Sequence, residues 1–239
     1  MDIYKLMMII ILYPSFAQCD EFEAMMFPEA DFFVFPDPKI CATRDIHLRS
    51  PAGVHYYLSW MDKKSPEDWN GARNFCRRMC MDLISLETMT ENEWIKNWIE
   101  KLRVEDVWTS GRLCTFRGCE KEQSPHLWPL ELYGWFWAAT GEYLHPSDNP
   151  KFTDWSSGGP FGVTQPDNRE FRYTGRPEAC LAIMNNKYRD GISWHDEVCD
   201  FKKPFICEEN LDMMEMVKAA APSLFAKEQH GPPTGTTPN

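Results

Sequence analysis

Gln165, Asp167, Glu178 and Asp196 bring four oxygen-bearing side chains into one stretch that closes on Cys199. They occur in three short segments: Gln165-Pro166-Asp167, Glu178-Ala179-Cys180 and Trp194-His195-Asp196. Their chemistry suits a hard cation, since Ca²⁺ takes about six to eight oxygen ligands from carboxylates, amides, carbonyls and water. An X-Pro bond takes the cis form at modest cost. A cis Gln165–Pro166 bond in a tight turn is therefore expected to aim Gln165 and Asp167 at one ion. His195 fits less well. An imidazole has two nitrogens and no oxygen, and it suits zinc, copper or iron better than calcium. His195 is thus a doubtful metal ligand, one that either weakens an ion site or serves only to hydrogen-bond a bound molecule.

The same carboxylates could in principle perform glycoside hydrolysis. As calcium ligands, however, they are ionised and cannot donate protons. The chain carries no His-Glu-x-x-His, Gly-x-Ser-x-Gly or P-loop pattern. His195 and Asp196 are adjacent, so on a strand they face opposite ways and do not build a triad. The reading is a binding protein, not an enzyme.

These ligands must be positioned by a folded domain. The chain has 239 residues and a net charge of −11, which argues against nucleic acid or an anionic membrane as partner. Residues 1–17 read as a signal peptide: Lys5, the apolar run Leu6 to Leu12, then Ser15 and Ala17 as small residues at a cleavage site. That run is shorter than the ~20 residues needed to span a bilayer, and no later stretch is long enough. A secreted, extracellular protein without a membrane anchor is expected. Residues 18–54 read as an acidic N-terminal extension and 208–239 as a disordered C-terminal tail. Among nine cysteines, Cys114 and Cys119 bracket Thr115 to Gly118 and are expected to close a local bridge.

Between the extensions, His55 to Trp60 predicts an aromatic strand. Ser65-Pro66 predicts a helix start, with Trp69, Ala72, Cys76 and Met79 on its buried face. Thr90-Glu91-Asn92-Glu93 predicts a second helix whose stripe is Trp94, Ile95, Trp98, Ile99 and Leu102. Strands are expected at Asp82–Ser85, Val107–Gly111, Gly134–Trp137, Leu181–Met184 and Gly191–Trp194. From Thr140 to Asp167 the chain is a long polar loop, for which a bound cation and Trp155 are the expected organisers.

At these residues the sequence resembles the C-type lectin domain, over His55 to Cys207. The likeness is to secreted invertebrate members with Gln165-Pro166-Asp167 as their proline-centred motif, Glu178 before Cys180, and Trp194-His195-Asp196 where sugar-binding members carry Trp-Asn-Asp. The resemblance implies an α+β fold of two helices packed on antiparallel sheets, with a long calcium and ligand loop, stabilised by disulfides. It implies the pairs Cys76–Cys207 and Cys180–Cys199. Cys41 and Cys80 are then left to pair with each other, and Cys19 is odd, which suggests a disulfide-linked dimer. The implied function is calcium-dependent binding of glycans, galactose-type from Gln-Pro-Asp, in glycan or innate immune pattern recognition. The same resemblance implies that Gln165, Asp167, Glu178, His195 and Asp196 contact the sugar. The alternative within the fold is a module that binds a protein partner without sugar or calcium. His195 and the odd Cys19 suit that alternative.

Overall fold

The computed structural model describes residues 34–116, 119, 125–144 and 152–226. The signal segment 1–17, Cys19, the loop tip 145–151 and the tail beyond 226 lie outside the described residues. The described residues belong to one compact unit that begins at Val34.

In chain order the elements are α1 (Pro38–Thr43), β1 (Leu48–Arg49), β2 (His55–Leu58), α2 (Trp69–Arg78), β3 (Met81–Leu83) and α3 (Met89–Leu102). Then come β4 (Asp106–Leu113), α4 (Leu130–Tyr133), β5 (Trp135–Trp137), α5 (Arg169–Thr174), β6 (Glu178–Asn185) and β7 (Ile192–Val198). Last are β8 (Ile206–Glu209), α6 (Leu211–Ala220) and α7 (Pro222–Phe225). Two antiparallel sheets result, ordered β1-β2-β8-β3 and β5-β4-β6-β7. A parallel bridge between Trp108 and Phe205 links them.

Strand β6 divides the core by simple alternation, because successive side chains on a strand face opposite ways. Leu181 and Ile183 pack with Ile95 and Ile99 of α3 and with Trp137 and Trp194. Cys180 and Ala182 pack on the other side with Trp69, Ala72 and Cys76 of α2, and with Trp108 and Phe205. Each fully buried Ile or Leu contributes about 1.5–3 kcal/mol, so the paired helices fix the sheet that carries the site. Disulfides join Cys41–Cys80, Cys76–Cys207, Cys114–Cys119 and Cys180–Cys199.

Several segments differ from the sequence expectation. Helix α2 is capped by Asp68, which accepts from Gly71 N at 2.8 Å, rather than by Ser65. Glu67 is instead drawn into a bridge with Lys203, leaving Ser65 and Pro66 outside the helix. Helix α3 begins two residues early, with Thr88 as cap over Glu91 N. The acidic extension is not wholly an appendage: α1 docks through Cys41, and β1 pairs with β2. Nor does disorder begin at residue 208. Met213, Met214 and Val217 of α6 are buried against Cys41 and Cys80, an apolar contact that orders the segment.

Candidate functional site

Carboxylate oxygens of Asp167, Glu178 and Asp196 lie within 4.8 Å of one another. Three separate elements deliver them. Asp167 follows the cis Gln165–Pro166 bond, Glu178 opens β6, and Asp196 stands on β7 opposite Leu181. The Cys180–Cys199 disulfide ties the two strands beside the cluster. A register shift between Glu178 and Cys180 breaks the regular β6–β7 ladder where Glu178 leaves it.

Backbone amides hold the carboxylates in place. Asp196 accepts from Asp167 N at 3.1 Å and from Asn168 N at 2.7 Å. Glu178 accepts from Glu170 N at 3.0 Å, while its own amide donates to Asn168 Oδ1 at 3.0 Å. Asn168 is left-handed (φ 45°), a conformation Asn tolerates better than most residues. It makes the corner from which α5 starts.

The electrostatics are those of crowded anions. Burial, then the neighbouring Glu178, push the Asp196 carboxyl up to about 8. Burial, followed by Glu197 and Asp167, pushes Glu178 up to about 7, against the opposing amide of Glu170. The cation nearest the cluster by ion pairing is Arg169, 3.7 Å from Asp167 Oδ2. Three carboxyls this close, two of them with pKa values raised chiefly by burial, fit a divalent cation by both donor chemistry and charge.

The other two expected ligands stand differently. Gln165 is buried, and its amide nitrogen donates to Val163 O at 3.3 Å. A Cβ at Gly159 would come within 2.4 Å of that nitrogen, so glycine there leaves room for the amide. His195 is not part of the carboxylate group. It pairs with Ala182 across the sheet, on the face opposite Asp196, and its Nε2 lies 3.0 Å from Asp190 Oδ2, outside hydrogen-bond alignment. Burial lowers its pKa despite Asp190, so the ring is neutral at pH 7. The ring thus stands beside Asp190 of the β6–β7 turn, apart from the three carboxylates.

Sequence reasoning also missed how the long loop is held. Asp190 accepts from the Ser156 hydroxyl and from Tyr188 N, so it joins the loop to the β6–β7 turn. On the other face, Asp154 accepts from Asn92 Nδ2 and Lys96 Nζ, both at 2.8 Å. Asn92 Oδ1 in turn accepts from Trp194 Nε1 at 2.9 Å. Phe152 and Trp155 pack edge-on to Trp194. Aromatic packing, with Trp155 in its expected part, and side-chain hydrogen bonds thus organise the loop from residue 152. The available signal was Asn92, a buried polar residue three positions before Ile95 on an apolar stripe.

Two curated relatives are similar over this region. L-selectin of Mus musculus is 21% identical over 172 residues and that of Bos taurus 24% over 177, each match taking in 70% of this chain and 35% of the relative. The chain therefore spans about a third of the length of the curated relatives it matches. The fold is C-type lectin-like. Among solved structures, the carbohydrate-recognition domain of the mouse scavenger receptor C-type lectin shares 24% identity, with 65% of this chain and 87% of that one covered and a TM-score of 0.41. No protein-family model matches the chain. Among the described residues no helix is long and apolar enough to cross a membrane.

Proposed function

We propose that this domain binds carbohydrate through a calcium ion held by Gln165, Asp167, Glu178 and Asp196, as a secreted lectin of the invertebrate type. The convergence of Asp167, Glu178 and Asp196 carries the reading. Bound there, calcium would offer coordination positions to two neighbouring sugar hydroxyls. The chain's own part is to keep the carboxylates aimed, so that, ionised by the cation, each accepts a hydrogen bond from a hydroxyl. Backbone amides of residues 167, 168 and 170 already orient them. Gln165 and Asp167 around Pro166 support a galactose-type preference. Phe171 and Tyr173 stand 52% and 69% exposed on α5, free to meet the apolar face of a sugar. Recognition of surface glycans in innate immunity is the physiological role proposed. Four disulfides suit an extracellular setting, and Cys19 is assigned to an intermolecular bridge.

The test is calorimetric titration of the disulfide-intact protein with calcium, then with galactose and mannose at saturating calcium. Galactose heat only with calcium, lost in Asp196→Asn, is the expected result. A second reading, recognition of a protein partner without sugar or calcium, is favoured by the loop contacts of Asp154, Ser156 and His195, which need no ion. Absence of calcium heat would select it.

A further inference from the structure

A groove of about 600 Å³ opens beside the carboxylate cluster and shares Glu178 with it. Phe161 and Tyr173 line it while standing 62% and 69% exposed. The C–H face of a sugar ring is a natural cover for such aromatic surface. Lys187 and Lys202 also line the groove and are exposed. Their state differs from that of the buried Lys203, which is answered by Asp106 at 2.7 Å and Glu197 at 3.5 Å. Among the described residues, neither Lys187 nor Lys202 has an ion-pair partner. Glu178 belongs to the cluster, and Glu197 lies 3.5 Å from Lys203 with the more distant Lys187 also acting on it, so Glu170 is the remaining acid of the lining. The outer groove is left cationic. Arg169 joins groove to cluster, stacked 3.5 Å over the Phe161 ring and 3.7 Å from Asp167.

We propose that this groove seats the second residue of an acidic oligosaccharide. With the first sugar at the carboxylate cluster, the next ring lies against Phe161 or Tyr173. An anionic substituent on that ring, sulfate or carboxylate, meets Lys187 and Lys202. The inference rests on the carbohydrate reading above and narrows it from neutral galactose to acidic, galactose-terminated glycans.

The experiment compares lactose with lactose sulfated at O6 of its glucose, by calorimetry on the full, disulfide-intact chain with calcium. Two exposed charge pairs are each worth about a two- to fivefold gain, so the sulfated sugar is expected to bind about tenfold tighter. Raising the salt should shrink that gap. The double variant Lys187→Gln, Lys202→Gln should abolish it while leaving lactose affinity unchanged. Equal affinity of the unaltered protein for both sugars, or a gap that survives in the double variant, overturns this inference and spares the carbohydrate reading. Inorganic sulfate that competes as strongly as the sulfated sugar also overturns it. Binding of neither sugar overturns both.

Discussion

Loading the metal-free domain with calcium at pH 7 is expected to expel protons. Asp196 is pushed up to about 8 and Glu178 to about 7. One unit below its pKa a carboxyl is about nine-tenths protonated, and at its pKa about half, so roughly one to two protons sit on the coupled pair at pH 7. Calcium takes only the ionised forms, so those protons must leave. Calorimetric calcium titrations in two buffers of different ionisation enthalpy read the number directly. Release should fall toward zero by about pH 9.5 and grow as pH drops, until near pH 4 calcium no longer binds. The same groups govern stability without metal. A carboxyl whose pKa is raised by folding is protonated in the native state and ionised in the unfolded chain between the two pKa values. The metal-free fold should therefore lose stability as pH rises from about 4 to about 8. For the nearly fully buried Asp196 the full swing is on the order of 5 kcal/mol, at ~1.4 kcal/mol per unit. Calcium heats at pH 7 that are identical in both buffers would refute the crowded-carboxylate account, even if calcium binds.

Other outcomes follow from the scaffold. Asn92→Ala removes the buried acceptor of Trp194 Nε1 and one donor to the half-buried Asp154. It should cost about 1–3 kcal/mol and speed amide hydrogen exchange at residues 152–156. Glu208, pushed up to about 8 by burial and then by Glu91, accepts from Ser85 N, a bond that glutamine can keep. Glu208→Gln should therefore raise denaturant stability at pH 8 by roughly 2–4 kcal/mol and change nothing near pH 4, where the acid is protonated in both states. Replacing Cys41 and Cys80 together by serine frees a loop with a sequence separation of 39. Thermal and urea unfolding should show a loss of about 4 kcal/mol, with calcium affinity unaltered.

Which of these features the sequence could reveal depends on the range of the interaction. Asp167, Glu178 and Asp196 were legible because three short oxygen-bearing motifs fall in the order that the C-type lectin resemblance implies. The two helices were legible from the stripes at Trp69–Met79 and Trp94–Leu102, but not their first residues. Ser65 and Asp68, or Thr88 and Thr90, are each adequate caps, and only tertiary contacts such as Glu67 with Lys203 choose between them. Strand alternation alone set His195 and Asp196 on opposite faces. That His195 would meet Asp190, and that Asp190 would also hold Ser156, depends on loop paths that no local pattern encodes. The polar composition after Cys207 hid α6, whose order comes from Met213, Met214 and Val217 finding Cys41 and Cys80 far away in sequence.

The arrangement of two disulfides also decides how the domain responds to being pulled. Cys41 is bonded to Cys80, and Cys76 to Cys207, with only Arg77, Arg78 and Met79 between the inner pair. A covalent path therefore runs from the N-terminal flank to the C-terminal flank through two sulfur bridges and one helix end. Tension applied to the chain outside Cys41 and Cys207 is carried along that short path. It bypasses β4 to β7, the long loop and the carboxylates, so a tethered domain can bear load while its site stays mechanically slack.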